Sequence, residues 1–318
     1  MTPVGRTRLT AQAPAKVNLT LAVVGRRDDG YHALESVFAR IGLYDELSVE
    51  PLAPWEAPEV DGDELSVEGP LAYEPMKDDL VLRATTALRR QAPPSVPRLR
   101  FRLTKRIPAA AGLGGGSSDA AAALLLAALA WDVEVDQGAL LALAARVGSD
   151  VPFFASALRV AMVRGRGESL ASLGSPAATL GVLAVTPAAR LSTEDVFAAL
   201  AMLRDRRPSE AAAVTARLAD LMAAGAQPPA IVALAPRMRE ANDLWPAALR
   251  VLPGLAAMRF ELEQTLMRPF LMSGSGPTLF ALYASPAEAA VAAQRLGREL
   301  PPSLQGAAIH TADLPATR

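Results

Sequence analysis

The chain has 318 residues, 51% hydrophobic and 20% charged, so it is long enough for two domains or one large one and can bury a full core. With 32 basic against 33 acidic residues and a net charge of −1, it has no global electrostatic attraction for nucleic acid or an anionic membrane. The lack of cysteine excludes a disulfide framework, a thiolate metal site and a cysteine nucleophile.

The opening M-T-P-V-G-R-T-R-L-T lacks the apolar core of a signal peptide, and the longest apolar stretch, Ala120 to Trp131, is shorter than the ~20 residues that span a bilayer. A soluble, cytoplasmic protein is expected. Only three of the 32 basic residues are lysines (Lys16, Lys77, Lys105), and there are two histidines (His32, His310) and two asparagines (Asn18, Asn242). A chain that otherwise uses Arg keeps Lys where a compact ammonium is wanted.

Residues 14 to 24 alternate as a half-buried strand, with Val17, Leu19 and Leu21 on one face and Lys16, Asn18 and Thr20 on the other. Lys16 and Asn18 thus point the same way, about 7 Å apart. For an isolated strand, such a polar face meets solvent. G-R-R-D-D-G (25 to 30) reads as a hairpin connection, followed by Tyr31, His32 and a second extended run. The Tyr-His pair offers an aromatic face and a donor/acceptor edge suited to a planar heterocycle, or packing at the hairpin base.

Residues 51 to 78 read as an edge hairpin with loops, Asp78 as the cap of a helix over 79–90, and 98–103 as a strand with alternating Leu99, Phe101 and Leu103. Through Lys105 that strand enters P-A-A-A-G-L-G-G-G-S-S-D (108 to 119). This is a glycine-rich loop feeding a helix over 117–130, an architecture whose free N–H groups and dipole favour an anion. Ser117, Ser118 and Asp119 would equally serve as ordinary cap and first-turn residues. The spelling excludes a P-loop, which needs G-x-x-x-x-G-K-[ST], and a G-x-G-x-x-G dinucleotide fingerprint.

A second helix runs from 136 to 147 and stops at Gly148; Asp150 follows, before Val151 and Pro152, in the setting of a helix cap. Residues 159 to 168 read as a strand and turn, and 170 to 181 as a domain boundary. Beyond it come a buried strand, helices over 193–224 broken near Pro208, and Q-P-P-A (227 to 230) ending that region. A helix over 253–267, a tight loop at Gly274 and Gly276, the strand Leu279 to Tyr283, a helix from Pro286 to Leu300 and a strand near 307–311 complete the chain. There is no internal repeat.

In order, P-A-K-V-N, G-L-G-G-G-S-S-D-A-A and S-G-S-G-P-T-L-F resemble the three motifs of the GHMP small-molecule kinases, over nearly the whole chain. Within that superfamily, P-A-K-V-N-L-T-L, D-G-Y-H-x-L-x-S-V-F and G-S-D-V-P-F-F resemble the branch that acts on a cytidyl diphosphate sugar alcohol in the non-mevalonate route to isoprenoids. The resemblance implies a two-domain α+β fold. An N-terminal domain over 1–175, with a left-handed βαβ crossover against the general rule, would hold the ATP loop and catalytic pair. A ferredoxin-like α/β sandwich over 176–318 would supply a wall of the substrate cleft.

It further implies Lys16 and Asp150 as the catalytic pair. ATP would be held by Lys105, Pro108, Ala109, Ala110, Ala111, Gly112, Leu113, Gly114, Gly115, Gly116, Ser117 and Ser118. The cytidyl substrate would meet Asn18, Tyr31, His32, Phe197, Gly274, Ser275 and Gly276. ATP and Mg²⁺ are the implied cofactors, with no carboxylate ligand for the metal named by sequence. The implied enzyme is a monomer or homodimer with no nucleic-acid or membrane partner. Two alternatives stand beside it: a GHMP kinase for another alcohol, of the mevalonate, homoserine or sugar type, and a non-catalytic nucleotide-binding relative. Tyr31 and His32 favour the cytidyl substrate over an aliphatic one, and the presence of both Lys16 and Asp150 argues against the relative without activity. Ala109 to Ala111 stand where relatives often have more glycine, which stiffens the first half of the loop. Extra length is placed in 51–75 and 200–235.

Overall fold

The computed structural model describes residues 8–28, 30, 32–53, 62–203 and 210–316. The chain forms two compact units interleaved in sequence. One takes the N-terminal stretch to Ala15, Tyr44–Ile107 and Gly115–Ala157; the other takes Lys16–Leu43, Pro108–Gly114 and everything from Leu158. Two long strands, β1 (Leu9–Arg26) and β2 (His32–Pro51), contribute to both. β1 is buried on both faces from Ala15 to Ala22. The polar face of Lys16, Asn18 and Thr20 is therefore covered, not solvated, with Lys16 and Asn18 each only 3% exposed.

In the first unit, β3 (Glu64–Glu68), β4 (Leu99–Thr104) and the second half of β2 pair in the order β3-β4-β2. β4 runs antiparallel to β2, with Glu46 opposite Thr104. Among the described residues β3 is an edge strand, as expected, and it pairs parallel with β4. A parallel pair needs a crossover, and α1 (Leu80–Arg89) supplies it, completing a βαβ unit. Asp79, not Asp78, caps α1, accepting from Val81 N at 2.9 Å.

α2 (Gly115–Ala130) packs on α1 and is buried along most of its length, as its unbroken Ala/Leu run requires. It begins two residues before the expected start, because Gly115 and Gly116 already take helical conformation; Ser117, Ser118 and Asp119 lie inside the helix. α3 (Gln137–Val147), capped by Asp136, and the short α4 (Val151–Ala155) pack beside it.

In the second unit, the first half of β2 pairs antiparallel with β5 (Val160–Gly165), which pairs with β6 (Ser169–Ser172). A separate antiparallel sheet joins β7 (Leu180–Thr186), β8 (Leu271–Met272), β9 (Leu279–Tyr283) and β10 (Ala308–Leu314) in the order β10-β7-β9-β8. That fourth-first-third-second order is the ferredoxin-like arrangement the resemblance implied.

Among the described residues, six helices fall between β7 and β8: α5 (Thr193–Ala201), α6 (Ala211–Ala223), α7 (Pro228–Ala233), α8 (Ala235–Met238), α9 (Trp245–Val251) and α10 (Gly254–Leu266). α11 (Pro286–Arg298) joins β9 to β10. Pro208 lies outside the described residues. Pro228 and Pro229 open α7 instead of closing the helical region, since proline's fixed φ and missing N–H suit a first helical turn. Leu183, Val185, Leu279 and Ala281 of this sheet bury against Met258 and Leu262 of α10 and Leu296 of α11. Among the described residues, no helix is long and apolar enough to cross a membrane.

Candidate active site

In the second unit, three sequence-distant pieces converge on the middle of β1. Lys16 donates from Nζ to Asn18 Oδ1 at 2.5 Å, and its ammonium lies 4.6 Å from the centre of the Phe38 ring. The Asn18 amide donates to Ser36 Oγ at 3.0 Å. Both ends of the Asn18 amide are thus engaged by protein side chains.

The Lys16 N–H donates to Leu113 O at 2.9 Å, tying β1 to the glycine loop. That loop is stitched in turn to the Ser273–Thr278 turn, through Ser273 Oγ to Gly112 O at 2.8 Å and Thr278 N to Ala111 O at 3.3 Å. Gly112 has φ +75°, and a Cβ there would overlap the Ser273 carbonyl oxygen. Gly274 has φ +58°, and its Cβ would stand 3.1 Å from Asn18 Oδ1 and 3.5 Å from Lys16 Nζ, so only glycine lets this turn approach the lysine. Asn242 anchors the turn from behind, donating to Met272 O and Gly274 O at 2.9 Å each. Ser275 pairs its hydroxyl with Thr193 at 2.9 Å, and Gly276 N donates to Ser273 O at 2.9 Å.

The alanines of the loop differ among themselves. Ala109 and Ala110 are exposed and Ala111 is buried. Ala110 sits at φ +51°, a left-handed conformation that costs an alanine about 1 kcal/mol.

The far end of the loop, Gly115 to Ser118, belongs to the first unit and forms the opening of α2. There Lys105, 2% exposed, is clasped by Asp45 Oδ2 at 2.5 Å and Asp119 Oδ2 at 2.7 Å. Asp45, wholly buried, also accepts from the backbone N–H groups of Arg106 (2.5 Å) and Ile107 (2.8 Å), pinning the chain as it enters the loop. Burial opposes the charge on Lys105, yet the two carboxylates outweigh it and raise its pKa. For Asp119, burial pushes the carboxyl up to about 7; Lys105 counters that and Asp45 adds to it. The two bonds of Lys105 tie β2, the loop entrance and α2 together. Sequence reasoning missed Asp45, which stands 60 residues from Lys105, and read Asp119 only as a first-turn residue.

Two buried oxygens at this end have no partner, Ser118 Oγ and Asp119 Oδ1. A Cβ placed on Gly148 would lie 4.0 Å from Ser117 Oγ, so the turn carrying Asp150 abuts the first turn of α2. Asp150 occupies the cap position of α4, where its side chain makes no cap hydrogen bond.

On the second unit, the rings of His32 and Phe197 stack with centroids 5.4 Å apart and planes 27° from parallel. Sequence spacing of 165 residues gave no hint of that meeting beyond the family pattern. Tyr31 lies outside the described residues.

Residues 79–157 match the family model for the GHMP kinases N terminal domain, and residues 229–302 match that for the GHMP kinases C terminal. A protein from Rhodopseudomonas palustris called 4-diphosphocytidyl-2-C-methyl-D-erythritol kinase is 39% identical over 295 residues, covering 91% of this chain and 92% of its own. One of the same name from Methylorubrum extorquens is 41% identical over 297 residues, covering 90% and 93%. This chain belongs to the 4-diphosphocytidyl-2-C-methyl-D-erythritol kinase family.

A crystal structure of 4-(cytidine 5'-diphospho)-2C-methyl-D-erythritol kinase superimposes with a TM-score of 0.71 at 33% identity, over 97% of this chain and all of that one. Leishmania major mevalonate kinase gives a TM-score of 0.71 at 16% identity, over 100% of this chain and 99% of that one, and so shares the fold.

Proposed function

We propose that this chain transfers the γ-phosphoryl group of ATP to the 2-hydroxyl of 4-diphosphocytidyl-2-C-methyl-D-erythritol, giving the 2-phosphate and ADP in the non-mevalonate route to isoprenoids. Membership of that kinase family carries the reading. The convergence of Lys16, the glycine loop and the Gly274 turn on one stretch of β1 supports it.

Phosphoryl transfer asks the protein for positioning and charge neutralisation more than for covalent chemistry. The segment Pro108–Ser118 cradles the triphosphate on backbone N–H groups and the N-terminus of α2. Asp150 accepts the proton of the 2-hydroxyl as its oxygen bonds to the γ-phosphorus and the β–γ bridging oxygen departs with ADP. Lys16, aimed by Asn18, orients the hydroxyl and offsets developing negative charge. Gly274 to Gly276 lie against the sugar alcohol, and His32 and Phe197, with Tyr31, receive the cytosine.

The chemistry that Mg²⁺ would supply is neutralisation of charge on the nucleotide's phosphates. Hard oxygen donors suit it, and the unpartnered Ser118 Oγ and Asp119 Oδ1 fit that requirement. Among the described residues there is no cluster of three His, Cys, Asp or Glu, so phosphate oxygens and water would fill the rest of its shell. We place the ATP loop and catalytic pair in a domain over 1–175 and a substrate-cleft wall in 176–318. The enzyme works in the cytoplasm as a monomer or homodimer, with a small molecule as its partner.

The test is ADP release with ATP, Mg²⁺ and a panel of alcohols holding the cytidyl diphosphate substrate, mevalonate and homoserine. Turnover confined to the cytidyl compound is expected; turnover of an aliphatic alcohol in its place overturns the assignment. Asp150→Asn should lower kcat roughly 10²- to 10⁴-fold with ATP affinity little changed.

A further inference from the structure

We propose that Ser36 is a positioning residue for phosphoryl transfer, setting the orientation of the Asn18 amide so that its carbonyl oxygen faces Lys16. The role of Lys16 in this proposal rests on the functional reading above, and hydrogen-bond polarity decides the rest.

Ser36 lies on β2, across from β1, and is 2% exposed. Its hydroxyl donates to the carbonyl oxygen of Thr20. A backbone carbonyl can only accept, and a hydroxyl has a single proton, so that bond spends the donor of Ser36. What Ser36 has left for Asn18 is a lone pair. Asn18 must therefore turn its NH₂ group toward Ser36, the observed 3.0 Å contact, and its Oδ1 toward Lys16 Nζ, the observed 2.5 Å contact.

The opposite amide orientation would set two acceptors against each other at Ser36 and two donors against each other at Lys16. The direction of the whole chain, Lys16 to Asn18 to Ser36 to Thr20, is thus decided by a main-chain carbonyl that cannot donate. All four residues are buried, Thr20 at 1% exposure, so water does not compete for these groups. Thr20 is itself held, its hydroxyl hydrogen-bonded to that of Thr215 at 2.8 Å, and the Asn18 N–H donates to Ser273 Oγ at 3.3 Å. These bonds fix β1 on both sides of the asparagine.

Ser36→Ala removes the acceptor and frees the amide to rotate. Expected is a fall in kcat of roughly tenfold, the scale of one net hydrogen bond, with KM for ATP within about twofold. Ser36→Thr keeps the hydroxyl and should recover most of the loss. In an Asn18→Ala background, Ser36→Ala should add nothing further, because Ser36 acts only through Asn18. Independent, multiplying losses, or parental kcat in Ser36→Ala, overturn the proposal.

Two readouts need no turnover and keep it apart from the choice of substrate. With Asn18 and Asn242 the only asparagines, ¹⁵N-asparagine labelling yields two side-chain NH₂ pairs. The pair missing from Asn18→Ala should shift and exchange faster in Ser36→Ala, while the other stays put. Acetylation of Lys16, read by mass spectrometry against exposed Lys77, should accelerate in the same variant. An unmoved Asn18 pair with unchanged Lys16 reactivity refutes the positioning role, whatever alcohol the enzyme phosphorylates.

Discussion

Gly112 and Gly116 stand four residues apart in one loop, yet adding a methyl group to each should act in opposite directions. At Gly112 the backbone has φ +75°, and the new Cβ would run into the carbonyl oxygen of Ser273 and lie 3.0 Å from that of Gly276. Both are main-chain atoms that cannot swing away. The left-handed conformation costs alanine about 1 kcal/mol, and forcing the turn apart about 1–3 kcal/mol more, for a total of about 2–4 kcal/mol. At about 2 °C per kcal/mol for a chain of this size, Gly112→Ala should melt roughly 4–8 °C below the parent. Gly116 lies in the first turn of α2, where a Cβ meets nothing closer than Leu80 Cδ1 at 3.4 Å. Alanine is the better helix former by up to about 1 kcal/mol, so Gly116→Ala should melt roughly 1–2 °C higher. Differential scanning calorimetry on both variants reads the pair, and KM for ATP separates folding from ligand contact. A rise in KM for Gly116→Ala without loss of stability reports the close approach of the nucleotide to that backbone. Equal melting of the two variants, or a Gly116→Ala that is the less stable, would refute the reasoning.

Asp45→Asn should be strongly destabilising, by about 3–5 kcal/mol, because it turns an amide toward buried Lys105 and leaves that cation to Asp119 alone; a melt within about 2 °C of the parent would contradict the clamp. Phe197→Ala removes the ring stacked on His32 and should raise KM for the cytidyl substrate while KM for ATP holds, measured by steady-state ADP release. Asp119 has a folded pKa of about 7, above its unfolded value, so its contribution to stability is complete below about pH 4 and is lost as pH rises through 7. Asp119→Asn should flatten that decline in urea melts taken from pH 4 to 8, and an identical slope in parent and variant would show that the group does not titrate there. Ala110→Gly relieves the left-handed strain at φ +51° but loosens the unfolded chain, and should leave the melting temperature within about 2 °C of the parent.

What could be read from sequence were features whose cause is local. Alternation places the strands around Lys16 and Leu99, the glycine loop before an Ala/Leu run marks an anion-binding helix start, and caps such as Asp136 end or begin helices within a few residues of themselves. Errors of one or two residues arose where two neighbours offer the same chemistry, as Asp78 and Asp79 do, or where glycine keeps a helical conformation that its propensity disfavours, as at Gly115. The pairing of β3 was beyond reach, because whether a strand pairs parallel or antiparallel depends on the crossover that follows it. Tertiary structure alone decided the electrostatic and hydrogen-bond partners. Asp45 meets Lys105 across 60 residues, Ser273 meets Gly112 across 161, and Ser36 turns the amide of Asn18 from the next strand. Residue type and spacing state what a side chain can do; its partner is set by which strands the fold lays side by side, and burial then makes that partner obligatory, since a charge or amide shut away from water must be matched.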